Sequence, residues 1–148
     1  MLVKKYWVVA VTLGLTIAAA PAAAFEWKSG WGQGVSEYSV SDGNQNELYI
    51  ACPNYDGYVT AYAVIQGVEF SSEGQGFDVI VDGERYSNPF NTECRVCADI
   101  FHGFWEELRR ANRLRIAADG LEANLPVRGA SEALPALDDP AFSCHTEW

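Results

Sequence analysis

The residues able to do chemistry are few, and the densest group is Cys94-Arg95-Val96-Cys97, directly ahead of a helix-like stretch. Two cysteines at this spacing can form a redox-active disulfide, because a helix N-terminus and a nearby cation lower the first thiol's pKa. In that role Cys94 is the nucleophile and Cys97 the resolving thiol. The same pair can equally be a staple in a small exported domain. Glu93 and Asp99 bring negative charge, which raises a thiol's pKa. The preceding segment 85–93 reads as polar and turn-like, whereas thioredoxin-type motifs follow a buried strand. Pro126 sits within a hairpin pattern, a weak position for the proline that faces the dithiol in that fold. The balance favours a disulfide framework. Zinc would want four ligands in a compartment that oxidises thiols, so no metal site is expected.

Cys52 and Cys144 complete a set of four cysteines, which allows three pairings. The favoured one is Cys94–Cys97 with Cys52–Cys144. The other two join one member of the Cys-x-x-Cys to Cys52 and the other to Cys144. A long Cys52–Cys144 link would tie the tail to an early strand and stabilise by about 4 kcal/mol on chain-entropy grounds. Other candidate chemistry is thin. His102 reads as a helix histidine beside Phe101, and His145 as an exposed tail residue. Asp138-Asp139 reads as a solvated pair. No serine sits in a nucleophile elbow, and no zincin, phosphate-loop or Ca²⁺-loop pattern occurs. No catalytic residue and no cofactor are assigned.

The N-terminus reads as an export signal. Lys4 and Lys5 precede an apolar run from Tyr6 to Ala20, and small residues at 22 and 24 suit cleavage before Phe25. The run is short against the roughly 20 apolar residues of a membrane span. The reading is therefore a signal peptide over 1–24 and a single domain over 25–148, periplasmic or secreted, with no stable membrane insertion after cleavage. Without Lys4 and Lys5, eight basic residues face twenty acidic ones, a net charge of about −12. Such a surface repels nucleic acid and anionic lipid and attracts a basic protein partner.

These residues must be positioned by short alternating segments. Asp-Gly pairs at Asp42, Asp56, Asp82 and Asp119 suit tight hairpin turns. Leu48, Ile50 and Cys52 share one face. Val59, Ala61, Ala63 and Ile65 share another, with Tyr58, Thr60, Tyr62 and Val64 opposite. Segments 77–86 and 114–127 each read as a strand, turn and return strand. Phe101, Phe104, Trp105, Leu108 and Ala111 fall at helical spacing, with Asp99 as the expected cap and Glu106 set to pair with Arg110. Ser131 opens a second helix that Pro135 limits to about one turn. The expected fold class is all-β, or β-rich α+β: a small antiparallel sandwich or half-barrel with one covering helix, stabilised by disulfides.

Aromatic residues supply the expected contact surface. Trp27 and Trp31 lie among glycines, and Tyr55 and Tyr58 flank a turn. Tyrosine and tryptophan suit binding patches because they combine area with a polar handle.

A strand ending in Cys52, the 114–129 hairpin, the short 130–137 segment and the late Cys144 together resemble exported bacterial proteins of the invasion-associated locus B type. The resemblance covers about half of the mature chain and implies a β-sandwich without a defined biochemistry. Asp82-Gly83-Glu84-Arg85-Tyr86 resembles the Ser-Gly-x-x-Tyr motif of periplasmic inhibitors of C-type lysozyme, with Asp82 in place of the serine. That likeness implies Gly83 and Tyr86 near a contact surface. The expectation is an exported binding protein, of inhibitor or immunity type, acting on a basic cell-wall hydrolase or toxin. The alternatives are a thiol–disulfide oxidoreductase and a structural accessory subunit of an envelope assembly.

Overall fold

The computed structural model describes residues 25–148; the expected leader, 1–24, lies outside the described residues. Five strands form one antiparallel meander in chain order: β1 (Lys28–Gly32), β2 (Val35–Ser41), β3 (Glu47–Pro53), β4 (Thr60–Ile65) and β5 (Val68–Ser71). A second antiparallel sheet, ordered β7-β6-β8-β9, contains β6 (Asp78–Val81), β7 (Glu84–Ser87), β8 (Leu114–Ala118) and β9 (Leu121–Leu125). Helix α1 (Arg95–Arg109) connects β7 to β8, and the single turn α2 (Ala130–Ala133) precedes the tail. The fold is mixed α+β: two antiparallel sheets, a covering helix and two disulfides, Cys52–Cys144 and Cys94–Cys97.

The alternation decides which side of each strand is buried. Leu48, Ile50 and Cys52 of β3 point into the core, as do Ala61, Ala63 and Ile65 of β4. Val79, Val81, Leu114, Ile116 and Leu125 do the same from the second sheet. Helix α1 joins the two halves through its aromatic stripe. Trp105 meets Tyr38 of β2 edge-on at 5.4 Å, and Phe104 meets Tyr86 of β7 at 5.1 Å. Trp105 also donates its indole N–H to Pro135 O at 2.7 Å, which satisfies a polar atom that burial would otherwise penalise. Arg109 Nε holds Leu134 O in the same way.

Four details depart from the expectation. Helix α1 starts four residues earlier than Asp99: Cys94 is the N-cap, and its Sγ accepts the Cys97 N–H at 3.0 Å. Glu106 pairs with Arg109 and Glu107 with Arg110, because the three-residue spacing brings these side chains together. Gly129 rather than Ser131 caps α2. Of the four Asp-Gly pairs, only Asp82-Gly83 and Asp119-Gly120 form two-residue turns with positive φ at both positions. Asp42 and Asp56 lie in longer loops, and Gln33-Gly34 and Gln66-Gly67 make the other two tight turns. A two-residue hairpin demands left-handed backbone, which the glycine tolerates and the glutamine accepts under the pull of the pairing strands.

The Cys52–Cys144 bridge spans 92 positions and fixes the irregular tail, where Val59 N also bonds His145 O at 3.0 Å. Replacing both cysteines with alanine is expected to cost about 4 kcal/mol, whereas opening the three-residue Cys94–Cys97 link costs about 2 kcal/mol or less. Trp105→Ala is expected to cost about 3–5 kcal/mol. Urea unfolding of the three variants measures all of these.

Candidate functional site

The outer faces of the two sheets differ in charge balance. On the second sheet the cations are internally paired. Arg85 bonds Asp78 at 2.7 Å, and Arg115 bonds Glu122 at 3.3 Å. The five-stranded sheet has no such neutralisation among the described residues. Between residues 25 and 77 the only cation is Lys28, against seven carboxylates, and all seven arginines come later in the chain. Register places Glu47 and Glu69 on either side of Val64, on β3 and β5 flanking β4. At about 4.8 Å per strand these two carboxylates stand roughly 10 Å apart. Neither forms an ion pair among the described residues.

Tyr49 and Tyr62 are paired across β3 and β4, with ring centroids 6.3 Å apart. Together with Glu47, Val64 and Glu69 they line a groove of about 290 Å³. Tyr49 donates its hydroxyl to Glu37 Oε1 at 2.6 Å. Burial pushes its pKa up to about 12, aided by that hydrogen bond and by the charges of Glu37 and Tyr62.

The expected contact residues separate into four places. Trp27 is buried in the core, so it offers no surface; its position next to the α2 turn, with its backbone N–H bonded to Arg128 O, explains why. Trp31 and Tyr55 come together at the end of the meander and are exposed. With its oxygen turned to the indole, the Asn54 amide accepts Trp31 Nε1–H at 2.7 Å and gives its nitrogen to Ser143 Oγ at 2.8 Å. The Tyr55 ring lies over Gly34, where even a Cβ would sit 3.4 Å from it. Gly83 lies exposed in the β6–β7 turn, while Tyr86 is half-buried against Phe104. These two therefore do not share one contact patch.

Tyr58 belongs to a different region. It lines a polar cleft of about 330 Å³ with Asn88, Glu93 and Glu147. Glu93, which lines this cleft, immediately precedes Cys94 in the chain, but neither cysteine lines the cleft itself. Cys94 is exposed and Cys97 half-exposed. His102 is half-buried beside Phe101 and belongs to neither region. Among the described residues no group of three His, Cys, Asp or Glu is placed to hold a metal ion.

The YfjT family profile matches residues 25–134, a span that contains both sheets and both helices. The chain belongs to the YfjT family. It is similar to the Escherichia coli (strain K12) protein named "Uncharacterized protein YfjT", with 27% identity over 124 residues, covering 76% of this chain and 80% of that one. No solved structure matches it significantly. These matches do not bear on the likeness to invasion-associated locus B proteins. Among the described residues no helix is long and apolar enough to cross a membrane.

The raised Tyr49 pKa has a pH consequence. A phenol held protonated in the folded state contributes stability below its unfolded pKa of about 10. That contribution is lost as pH rises from 10 through about 12. Burial raises Tyr38 and Tyr86 as well, so absorbance at 295 nm should show a late-titrating group of tyrosines, and Glu37→Gln should bring the midpoint of the Tyr49 component down.

Proposed function

We propose that this chain is an exported binding domain whose partner is a basic protein, contacted without catalysis through the outer face of the five-stranded sheet. The observation that carries this reading is the groove between Glu47 and Glu69, two carboxylates without cationic partners flanking Val64 beside a tyrosine pair. A lysine or arginine from a partner would lay its aliphatic stem along Val64 and Tyr62 and bring its charge between the carboxylates. An exposed apolar strip with unpaired charge at its edges fits a contact surface better than a solvated face, where the ions would be expected to pair locally as they do on the other sheet. Trp31 and Tyr55 extend the aromatic surface at the end of the same sheet.

Export rests on the leader-like N-terminus and on the two disulfides, which persist in oxidising compartments. A cell-envelope binder of this charge suits an inhibitor or immunity role against a basic cell-wall hydrolase or toxin. The acidic surface would accelerate encounter with such a partner and make the rate fall with salt.

The test is calorimetric titration against a panel of basic lytic enzymes, C-type lysozyme first, with lytic activity followed in parallel. Glu47→Lys with Glu69→Lys should weaken binding at least tenfold and flatten its salt dependence, while Arg115→Ala on the other sheet should leave it unchanged. Binding that is indifferent to the double charge reversal, or no binding across the panel, would sink the reading.

A further inference from the structure

We infer that Cys94–Cys97 is a thiol–disulfide exchange site for the dithiol of a partner polypeptide, an activity separate from the sheet-face binding proposed above. Several independent features converge there. The helix begins earlier than its aromatic pattern suggests, so Cys94 itself is the N-cap of a 15-residue helix and its sulfur receives the Cys97 backbone N–H. That hydrogen bond, the helix dipole and Arg95 at the first helical position all favour a thiolate over a thiol at Cys94. The first turn of α1 contains no acid; Asp99, expected beside the start, lies in the second turn.

The surroundings suit a polypeptide. Val96 and Ile100, 64% and 49% exposed, form an apolar rim on the solvent side of the motif. Trp148 stands beside it, with its indole N–H bonded to Glu93 O at 2.6 Å and Arg95 over its ring at 6.0 Å. Glu93, the residue before the motif, also lines the polar cleft with Tyr58, Asn88 and Glu147. Asn88 holds the cleft wall by donating its Nδ2 to Ser72 O at 3.0 Å. A disulfide kept only as a staple needs no such rim.

The reaction balances as follows. A thiolate of a partner dithiol attacks Cys94 Sγ. The Cys94–Cys97 bond breaks, a mixed disulfide forms, and the electron pair leaves on Cys97, which takes a proton. The partner's second thiolate then attacks its own sulfur in the mixed disulfide and expels Cys94 as a thiolate. The partner dithiol is oxidised to a disulfide, and Cys94–Cys97 is reduced by the same two electrons. The capped position of Cys94 makes it the better leaving group in the second step.

The decisive experiment uses the purified protein and glutathione. In a titration of reduced against oxidised glutathione, read by alkylation and peptide mass spectrometry, Cys94–Cys97 should open at ratios that leave Cys52–Cys144 intact. Cys97→Ser should then form a mixed disulfide with oxidised glutathione at Cys94. The pH midpoint of that capture should lie at least one unit below the roughly 8.5 of a free cysteine, and Arg95→Glu should raise it. Near-UV circular dichroism separates a true chemical effect from a failure to fold. If both disulfides resist glutathione alike, or Cys94 reacts with the midpoint of an ordinary thiol, the motif is a staple and the inference falls. Neither result touches the sheet-face titration, which is made with both disulfides intact.

Discussion

Burial of one aromatic stripe on α1 holds this molecule together. Phe101, Phe104, Trp105 and Leu108 are fully buried, and they touch Tyr38 on one sheet, Tyr86 on the other and Phe90 in the loop between. Two small sheets have little core of their own. A helix that fills the space between them supplies the apolar area that makes one domain of the two. Because the stripe sets the helix's rotation and height, it also sets where its first residue emerges. The Cys94–Cys97 disulfide is held at the surface because the aromatic residues one to three turns later are pinned. The tail is tied into the same frame, with Trp105 and Arg109 holding the carbonyls of 135 and 134 and Cys144 holding Cys52.

Much of this frame is legible in the sequence because it is written in periodicity. The alternation in 46–52 and 58–65 sorts inward from outward residues correctly, and the two later hairpins fall where their Asp-Gly turns put them. What alternation cannot supply is register. Nothing in the spacing of Glu47, Val64 and Glu69 shows that they line up across three strands, since that depends on the Gln66-Gly67 turn and on the length of the 54–59 loop. The glutamines carry no turn signal for a physical reason: their own preference is weak, and the strands on either side impose the conformation. Trp27 is buried against expectation for a similar reason. Its neighbours are glycines and charges, and only the return of the chain at Arg128 covers it.

The helix start shows the limit of propensity in another way. Asp99 is a good cap by type, and the sequence from there on is strongly helical. The disulfide holds Cys94 and Cys97 together, and Cys94 accepts the bond that an aspartate would otherwise accept. A covalent constraint thus substitutes for a polar cap and adds one turn. The same substitution weakens the electrostatic argument against reactivity, because Asp99 falls in the second turn of the helix, while Glu93 stays beside Cys94.

A binding face and an exchange site on one small domain reinforce each other physically. Thiol–disulfide exchange is bimolecular and limited by how long two sulfurs stay in line. A partner already held on an acidic sheet raises the local concentration of its cysteines, to the millimolar range for short spans. Strand β4 provides the link, with Tyr62 on the open face and Thr60, at its start, in the cleft that Glu93 also lines. The sheet's carboxylates and the cleft's Glu93 and Glu147 carry the same sign, which favours a basic segment along both, and Arg95 at the helix start is the positive charge such a segment would meet. Specificity would then come from the sheet and reactivity from the helix terminus, with the aromatic core fixing the distance between them.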